Sequence, residues 1–466
     1  MIEQRYQETL DYLYSYIDYS VERSYRYSPE VLDLSRVRAL LRALGDPHLK
    51  YSSVHIAGTK GKGSVSAMIA SILRAAQYKI GLYTSPHLQR FTERIRVGEQ
   101  EIQKSEVIEF VEILKPHIET IQQLTVYEII TALAFLYFAQ KEVDCAVFEV
   151  GLGGRLDATN VITPLSSVIT SLSYDHMHLL GESLSDIARE KAGIIKPGVP
   201  VVSAPQQHEA EHVVKGVARS LDAPLSLVGR DWLYSAGPRD LSGQTIYVWS
   251  AAEQPMMDAY VESSGGEEWA PPRYWIPLLG YHQVVNGAVA YATIQVLRNQ
   301  GLEVKEDAIQ KGFRETQWPG RFQILSTNPF VVVDAAHNRD SALKLRIALD
   351  DYFPGRPVTL IFGASADKDI PGMLFELLPR VSRLIVTQAD HPRASNPEEL
   401  ADIAHSHGLR VEVEVPVDAA LDRALAQVWP QGVVLATGSL FVVGEVISAW
   451  EKRQRAKITD IEERAI

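Results

Sequence analysis

The chain is poor in cysteine. Among 466 residues only Cys145 is one. A lone thiol forms no intrachain disulfide, which excludes a disulfide-stapled scaffold and fits a reducing compartment. Basic residues are outnumbered, 46 against 58 acids, for a formal net charge of −12. That balance argues against a non-specific grip on nucleic acid or an anionic membrane. Long apolar runs are missing too. The best uncharged stretch, Ile129 to Ala139, is too short to span a bilayer. The opening Met1-Ile2-Glu3-Gln4-Arg5-Tyr6 lacks the basic stretch and apolar core of a signal peptide. The expectation is a cytoplasmic protein that uses neither nucleic acid nor membrane. What is present is ordinary: 46% hydrophobic and 22% charged residues, with length for two or three domains.

Apolar spacing at Leu10, Leu13, Tyr14 and Ile17 predicts helices in the first fifty or so residues. Strand-like runs follow at Ser53 to Ala57, Lys79 to Tyr83, Asp144 to Val150, Ser167 to Ser171 and Val199 to Ala204. Helical patterns separate most of them, Ser64 to Ala76 first. Strands alternating with helices predict a mostly parallel sheet covered on both faces, an α/β fold. Trp232 to Pro277 breaks the rhythm and reads as a small antiparallel excursion. Tyr281 to Gln300 returns to helix. A second alternating series starts near Trp318-Pro319-Gly320-Arg321, where the Pro-Gly pair suggests a hinge. Its strands are expected at Phe330 to Val333, Val358 to Phe362, Arg383 to Thr387, Arg410 to Val415 and Gly432 to Ala436. The predicted domains are therefore 1–317, an ATP-binding domain, and 318–466, a smaller Rossmann-like domain. The tail from Glu451 reads as a charged helix or frayed end.

Gly58-Thr59-Lys60-Gly61-Lys62-Gly63-Ser64 lies between a predicted strand and a predicted helix. Glycines there let backbone N–H groups turn toward phosphate oxygens, and a helix N-terminus adds partial positive charge. Lys62 would reach the β/γ-phosphates and Ser64 would offer a hydroxyl. The spacing departs from a strict Walker A loop, because Gly58 and Lys62 are too close and Gly63 precedes Ser64. A helix-capping glycine turn is the alternative. Gly151-Leu152-Gly153-Gly154-Arg155-Leu156 also follows a strand, but Leu156 stands where a dinucleotide fingerprint needs its third glycine. No Asn-Lys-x-Asp motif of a regulatory GTPase is present. Glu149 closes an apolar strand, and strand ends of such sheets face the ligand crevice, so it is a natural Mg²⁺ ligand. His176 follows the next strand and should reach the same edge. Judged by spacing alone, a surface histidine is the plainer reading.

These segments together resemble the Mur ligase superfamily and, within it, the folylpolyglutamate synthases. The resemblance covers almost the whole chain. It rests on the phosphate loop, on Tyr83-Thr84-Ser85-Pro86-His87-Leu88, Glu93-Arg94-Ile95 and Glu149 to Asn160, and on Asp175-His176 and Arg189 to Ile194. Further along it rests on Gly280 to Asn286, Trp318 to Arg321, Asp334-Ala335-Ala336-His337-Asn338 and Asp367-Lys368-Asp369. Lys60 and Gly287 depart from the family's usual Asn and Ala.

The resemblance implies roles. Gly58, Thr59, Lys60, Gly61, Lys62, Gly63 and Ser64 would hold ATP, with Asn286, Arg321, Asp334 and His337. Ser85, Glu149, His176 and Lys191 would organise two Mg²⁺ ions, Lys191 as a CO₂-derived carbamate. Lys62, Lys191 and His176 would be catalytic, and Arg94, Arg155 and Asp157 would meet substrate. The implied reaction joins L-glutamate to a folate, or to dihydropteroate, through an acyl phosphate. ATP would bridge the two domains, and their closure would shield that intermediate. His337 or Asp334 are conceivable bases for the glutamate amine. Phe91, Tyr19, Tyr25 and Tyr27 are candidates to stack on a pterin ring. A monomer is expected by resemblance. Two other readings stay open: a peptidoglycan-precursor ligase, disfavoured because only 57 residues precede Gly58, and an ATP-binding module without catalysis.

Overall fold

The computed structural model describes residues 1–17, 32–175, 177–265, 269–405 and 410–464, with only the backbone of His178 and 457–464. Two compact units emerge. One comprises Met1–Pro238, Gln244–Pro277 and His282–Gln317; the other comprises Arg239–Gly243, Leu278–Tyr281 and Trp318–Ile466.

The first unit is built on eight strands: β1 (Ser52–Ala57), β2 (Ile80–Tyr83), β3 (Ile95–Val97), β4 (Gln100–Glu101), β5 (Cys145–Glu149), β6 (Ser166–Ile169), β7 (Val201–Ser203) and β8 (Leu225–Leu227). Their order is β4-β3-β2-β5-β1-β6-β7-β8. β2 and β5 to β8 run parallel to β1, and β3 and β4 add an antiparallel edge. Parallel strands buried on both faces read as unbroken apolar runs, which is why Cys145–Glu149 is buried throughout. The edge pair was not legible from apolar pattern. It carries Arg96 and Glu101, charges that keep an exposed edge from pairing further.

One face of the sheet is covered by the helix Val126–Gln140, buried almost all round. A capping box starts it: Thr125 accepts from the Glu128 N–H, and Glu128 accepts from the Thr125 N–H. Phe135, Phe138 and Phe148 pack there with ring centroids 4.7 and 5.7 Å from Phe148. Each such ring contributes about 1.5–3 kcal/mol by burial. Phe91 belongs to this core and is buried. It is packing, not a ring offered to a pterin. Tyr19, Tyr25 and Tyr27 lie outside the described residues. On the other face Ala57, Ile169 and Val201 pack against Leu184, Ala188 and Val214.

The excursion is a three-stranded sheet of β9 (Trp232–Asp240), β10 (Gly243–Ser250) and β11 (Arg273–Ile276), ordered β11-β10-β9. The second unit holds a six-stranded sheet of β12 (Gln323–Thr327), β13 (Phe330–Val333), β14 (Val358–Phe362), β15 (Val381–Val386), β16 (Val411–Val413) and β17 (Val433–Thr437), ordered β12-β13-β17-β14-β15-β16. Only β12 is antiparallel to its neighbour. After β17 one helix, Leu440–Arg464, runs on through the charged tail. Among the described residues no helix is long and apolar enough to cross a membrane.

The helix Glu306–Arg314 lies so close to the helix Lys62–Ala75 that a Cβ on Gly312 would stand 2.3 Å from Ile72 Cα. Ser71 Oγ donates to the Gly312 carbonyl at 2.7 Å. Gly216, in the helix His208–Ser220, has nothing within 4 Å of its Cβ position. Gly312→Ala should therefore destabilise the protein by about 1–3 kcal/mol. Gly216→Ala should stabilise it by up to about 1 kcal/mol. Urea unfolding checks both, and shifts of the same sign would contradict the packing described.

Candidate active site

Because β1 sits between β5 and β6, the loops leaving all three strands meet at one sheet edge. The turn after β1 enters the 14-residue helix Lys62–Ala75. The N–H groups of Thr59 and Lys60 both donate to the Ser171 carbonyl at 3.0 Å, and Thr59 Oγ1 donates to the Ser173 carbonyl at 3.1 Å. The phosphate loop is thus stitched to the segment leaving β6. Two glycines are required. Gly58 has φ +152° and a Cβ there would lie 1.9 Å from Thr170 Oγ1. Gly61 has φ +88° and would meet Asn286 Oδ1 at 2.3 Å. Asn286 Nδ2 donates to Gln283 Oε1 at 2.9 Å, and Gln283 Nε2 donates to Ser64 Oγ at 3.3 Å. Gly63 and Ser64 lie in the first turn of the helix, with Ser64 buried.

Lys62 Nζ stands 4.0 Å from Glu149 Oε1 at the end of β5. The Ser85 N–H points at Glu149 Oε2, 3.4 Å away. Lys60 faces elsewhere: its Nζ pairs with Asp175 Oδ2 at 2.9 Å, so its charge is already balanced. His176, the expected partner of Glu149, lies outside the described residues. Among those described, no three His, Cys, Asp or Glu side chains converge on a metal position.

Lys191 is buried beneath the loop, its Nζ donating to the Gly58 carbonyl at 3.0 Å. Loss of hydration pulls its pKa down to about 7, and the charge of Lys62 pushes the same way. The loop Gly151 to Val161 presses on the same helix. A Cβ on Gly154 would lie 2.8 Å from the Glu190 carbonyl oxygen. Asp157, expected at the substrate, uses both carboxylate oxygens inside this loop. Oδ2 accepts from the Gly151 and Leu152 N–H groups, and Oδ1 accepts from the N–H and hydroxyl of Thr159. It is buried and organises the turn, and burial raises its pKa against those donors. Since the Thr159 hydroxyl donates to Asp157, it accepts from buried His55 Nε2 at 2.8 Å. Burial and the nearby Lys196 charge lower the His55 pKa to about 3, which keeps the ring neutral. Arg155, also expected at the substrate, forks onto Glu190 with contacts of 2.9 to 3.2 Å. Arg94 Nε donates to His87 Nδ1 at 2.8 Å.

In the second unit, Asp334 follows β13. Its oxygens accept from the Phe322 N–H at 2.8 Å and the Ala336 N–H at 2.9 Å, clamping the turn that carries Arg321. Burial raises its pKa and the Arg321 charge opposes the rise. His337 Nδ1 lies 2.9 Å from the Ala335 carbonyl, so Nδ1 donates and Nε2 is the basic nitrogen of the neutral ring.

Two family models match the chain, the Mur ligase middle domain over residues 56–200 and the Mur ligase glutamate ligase domain over 320–440. A Bacillus subtilis dihydrofolate synthase/folylpolyglutamate synthase is 34% identical over 420 residues, covering 89% of this chain and 94% of that protein. A Lacticaseibacillus casei folylpolyglutamate synthase is 32% identical, covering 95% and 97%. The chain belongs to the folylpolyglutamate synthase/dihydrofolate synthase family of Mur ligases. A Mycobacterium tuberculosis folylpolyglutamate synthase complexed with ADP superimposes with a TM-score of 0.84 at 29% identity, covering 97% of this chain and 99% of that one. Escherichia coli FolC in complex with DHPP and ADP gives 0.80 at 32% identity, covering 96% and 98%. Of one relative, a probable bifunctional folylpolyglutamate synthase/dihydropteroate synthase from Haloferax volcanii, the chain spans about half, 48%, at 37% identity.

Within this family frame, several residues at the edge escaped sequence reasoning. Thr170 shapes the phosphate loop from within a strand run, and Gln283, inside the Gly280 to Asn286 segment, was given no role of its own. Asp175 was visible beside His176, but its pairing with Lys60 depends on the fold. In the second unit Arg393 is a further residue that sequence reasoning missed, with a buried Nε that has no hydrogen-bond partner. A basic residue in His391-Pro392-Arg393 after a strand was its only signal.

Lys191 makes a pH prediction for buffer free of CO₂. The unfolded chain holds this proton up to about 10.5 and the folded chain only to about 7. Between these values the unfolded chain binds more protons, so rising pH favours the folded state. Wild type should therefore gain stability relative to Lys191→Met from about pH 7 to 10, read by denaturant unfolding at each pH. A pH-independent difference would refute the buried amine.

Proposed function

We propose that this chain joins L-glutamate to folates at the expense of ATP, and that it also glutamylates dihydropteroate to give dihydrofolate. The observation that carries the reading is the meeting, at one sheet edge, of a phosphate loop, an acidic strand end and a buried amine. Family relatives named for both reactions support it.

The chemistry needs a carboxylate turned into a good leaving-group carrier. An oxygen of the acceptor carboxylate attacks the γ-phosphorus of ATP, the bond to the β-phosphate oxygen breaks, and an acyl phosphate and ADP result. The glutamate amine then attacks the acyl carbon, losing a proton, and phosphate leaves as the amide forms. Both partners of the first step are anions, so the site must supply positive charge. Lys62 and the N–H groups at the start of the helix Lys62–Ala75 would hold the β- and γ-phosphates. Glu149 and Ser85, with His176, suit Mg²⁺, which takes few protein ligands and otherwise prefers phosphate and water oxygens. That ion would neutralise phosphate charge during transfer.

Lys191 fits the carbamate role. A protonated lysine would repel the metal, and only a neutral amine adds CO₂. A pKa near 7 supplies that neutral form at physiological pH. Asn286 on the loop side, and Arg321, Asp334 and His337 in the second unit, would hold the nucleotide. Asp157 would act on substrate through the loop it orders; Arg94 and Arg155 would meet the acid groups. We also assign Arg393 to a carboxylate of the incoming glutamate, because its buried Nε has no hydrogen-bond partner although the Asp367 charge lies nearby. The enzyme would act as a cytoplasmic monomer.

Incubation with ATP, Mg²⁺, L-glutamate and either tetrahydrofolate or dihydropteroate should release ADP and add one glutamyl mass to each acceptor. Gain on one acceptor alone would remove the other activity, and gain on neither would sink the folate reading. Lys191→Ala should lose on the order of 100-fold or more in kcat. Added short carboxylates should restore part of it, and normal turnover would end the carbamate proposal. Arg393→Lys should raise the KM for glutamate about tenfold while leaving that for ATP in place. Equal effects on both would count against the assignment.

A further inference from the structure

The outer face of the three-stranded sheet offers a second concentration of binding chemistry. β10 and β11 pair with Thr245 opposite Trp275 and Tyr247 opposite Arg273. Side chains alternate along strands, so these four share one face. With Pro238, and with Gln310 and Arg314 of the helix Glu306–Arg314, they line a cleft of about 320 Å³. That is the size of a small-ligand site. Tyr247 and Trp275 are half-buried, while Arg273 and Arg314 are exposed. Among the described residues neither arginine is paired with an acid, in a chain where acids outnumber bases by 58 to 46.

Two guanidinium forks beside two aromatic rings match one kind of molecule. The forks take carboxylates bidentately, and the rings take a planar group. The cleft has no glycine-rich turn of N–H donors and no helix N-terminus in its lining to cradle a compact polyphosphate. This favours separated carboxylates over a compact polyphosphate.

The other face of the same sheet leads back to the phosphate loop. Ile246 of β10 packs on the helix Tyr281–Asn299, where a Cβ on Gly287 would lie 2.6 Å from Ile246 Cδ1. Gly287 follows Asn286, whose side chain closes on Gly61. The second wall of the cleft, the helix Glu306–Arg314, presses Gly312 on Ile72 of the helix that Lys62 begins. Tyr274, between the two, lies with its ring centroid 5.3 Å from both Tyr291 and Phe313. Each wall is backed by a helix that shapes nucleotide binding.

We propose that this cleft is a second ligand site for a planar-ringed acid bearing several carboxylates, the chemistry of a glutamylated folate, and that its occupation alters the affinity for ATP. The proposal rests on the folate reading above. The product of ligation thereby regulates the loop that starts the reaction, and by linkage the nucleotide alters product affinity equally.

Equilibrium dialysis of the full chain with pteroyltriglutamate, in the presence of a non-hydrolysable ATP analogue, tests this. Wild type should bind two molecules per chain. The Arg273→Gln/Arg314→Gln variant should bind one, its second site weakened by about 100-fold or more. The retained first site reports that the variant is folded. The Kd of the ATP analogue should shift as the second site fills in wild type, and stay constant in the variant. One site in both proteins would overturn the proposal and leave the folate reading standing. Binding at no site in either would overturn the folate reading itself. Displacement of the second molecule by AMP or inorganic phosphate at equal concentration would also overturn it, by making the cleft a phosphate site.

Discussion

Parallel pairing of β1 between β5 and β6 is the constraint on which the site depends. Parallel strands end at the same edge, so whatever follows each strand is delivered to one crevice. Here that delivers a phosphate loop from β1, a carboxylate from β5 and the Ser171 to Asp175 segment from β6. The loop and the segment after β6 are then fastened by hydrogen bonds from Thr59 and Lys60 to Ser171. A residue larger than glycine at position 58 would collide with Thr170, so loop shape and strand pairing are one requirement.

Burial then sets the electrostatics. Lys191 lies under the loop, its ammonium donating to the Gly58 carbonyl oxygen with another lysine nearby. In a medium less polarisable than water a lone ammonium is costly, and the group answers by giving up its proton. A lysine that sequence alone would leave on the surface thereby gives up its proton far more readily than in water. The neighbouring loop meets the same problem with a carboxylate. Asp157 is as deeply buried, and four donors from Gly151, Leu152 and Thr159 surround it. Lys196 closes that loop from below, donating to the Asn160 carbonyl and side-chain oxygens at 3.0 and 2.8 Å.

The second unit uses the same device with different residues. Asp334 leaves β13 and binds two backbone N–H groups, which fixes the turn bearing Arg321 as Asp157 fixes the loop bearing Arg155. In both, a carboxylate named by a motif acts first on the backbone. The arginine on each turn takes its position from that clamp.

By itself the sequence determined the strand–helix alternation and the phosphate loop. It also determined the strand-end Glu149. Apolar runs and glycine turns are local properties, and parallel sheets write them plainly. The family motifs were legible for the same reason, being contiguous. The fates of single side chains were not. Phe91 entered the core, Lys60 was neutralised by Asp175, Lys191 was buried, and Arg155 was tied to Glu190. β3 and β4 formed an edge, and the apolar–charged–apolar run Ile95-Arg96-Val97 is too short to announce a strand. Each of these depends on which distant segment lies alongside, and pairing across 35 to 133 positions leaves no local trace. Tertiary structure decided them, because burial and charge pairing are properties of neighbours in space.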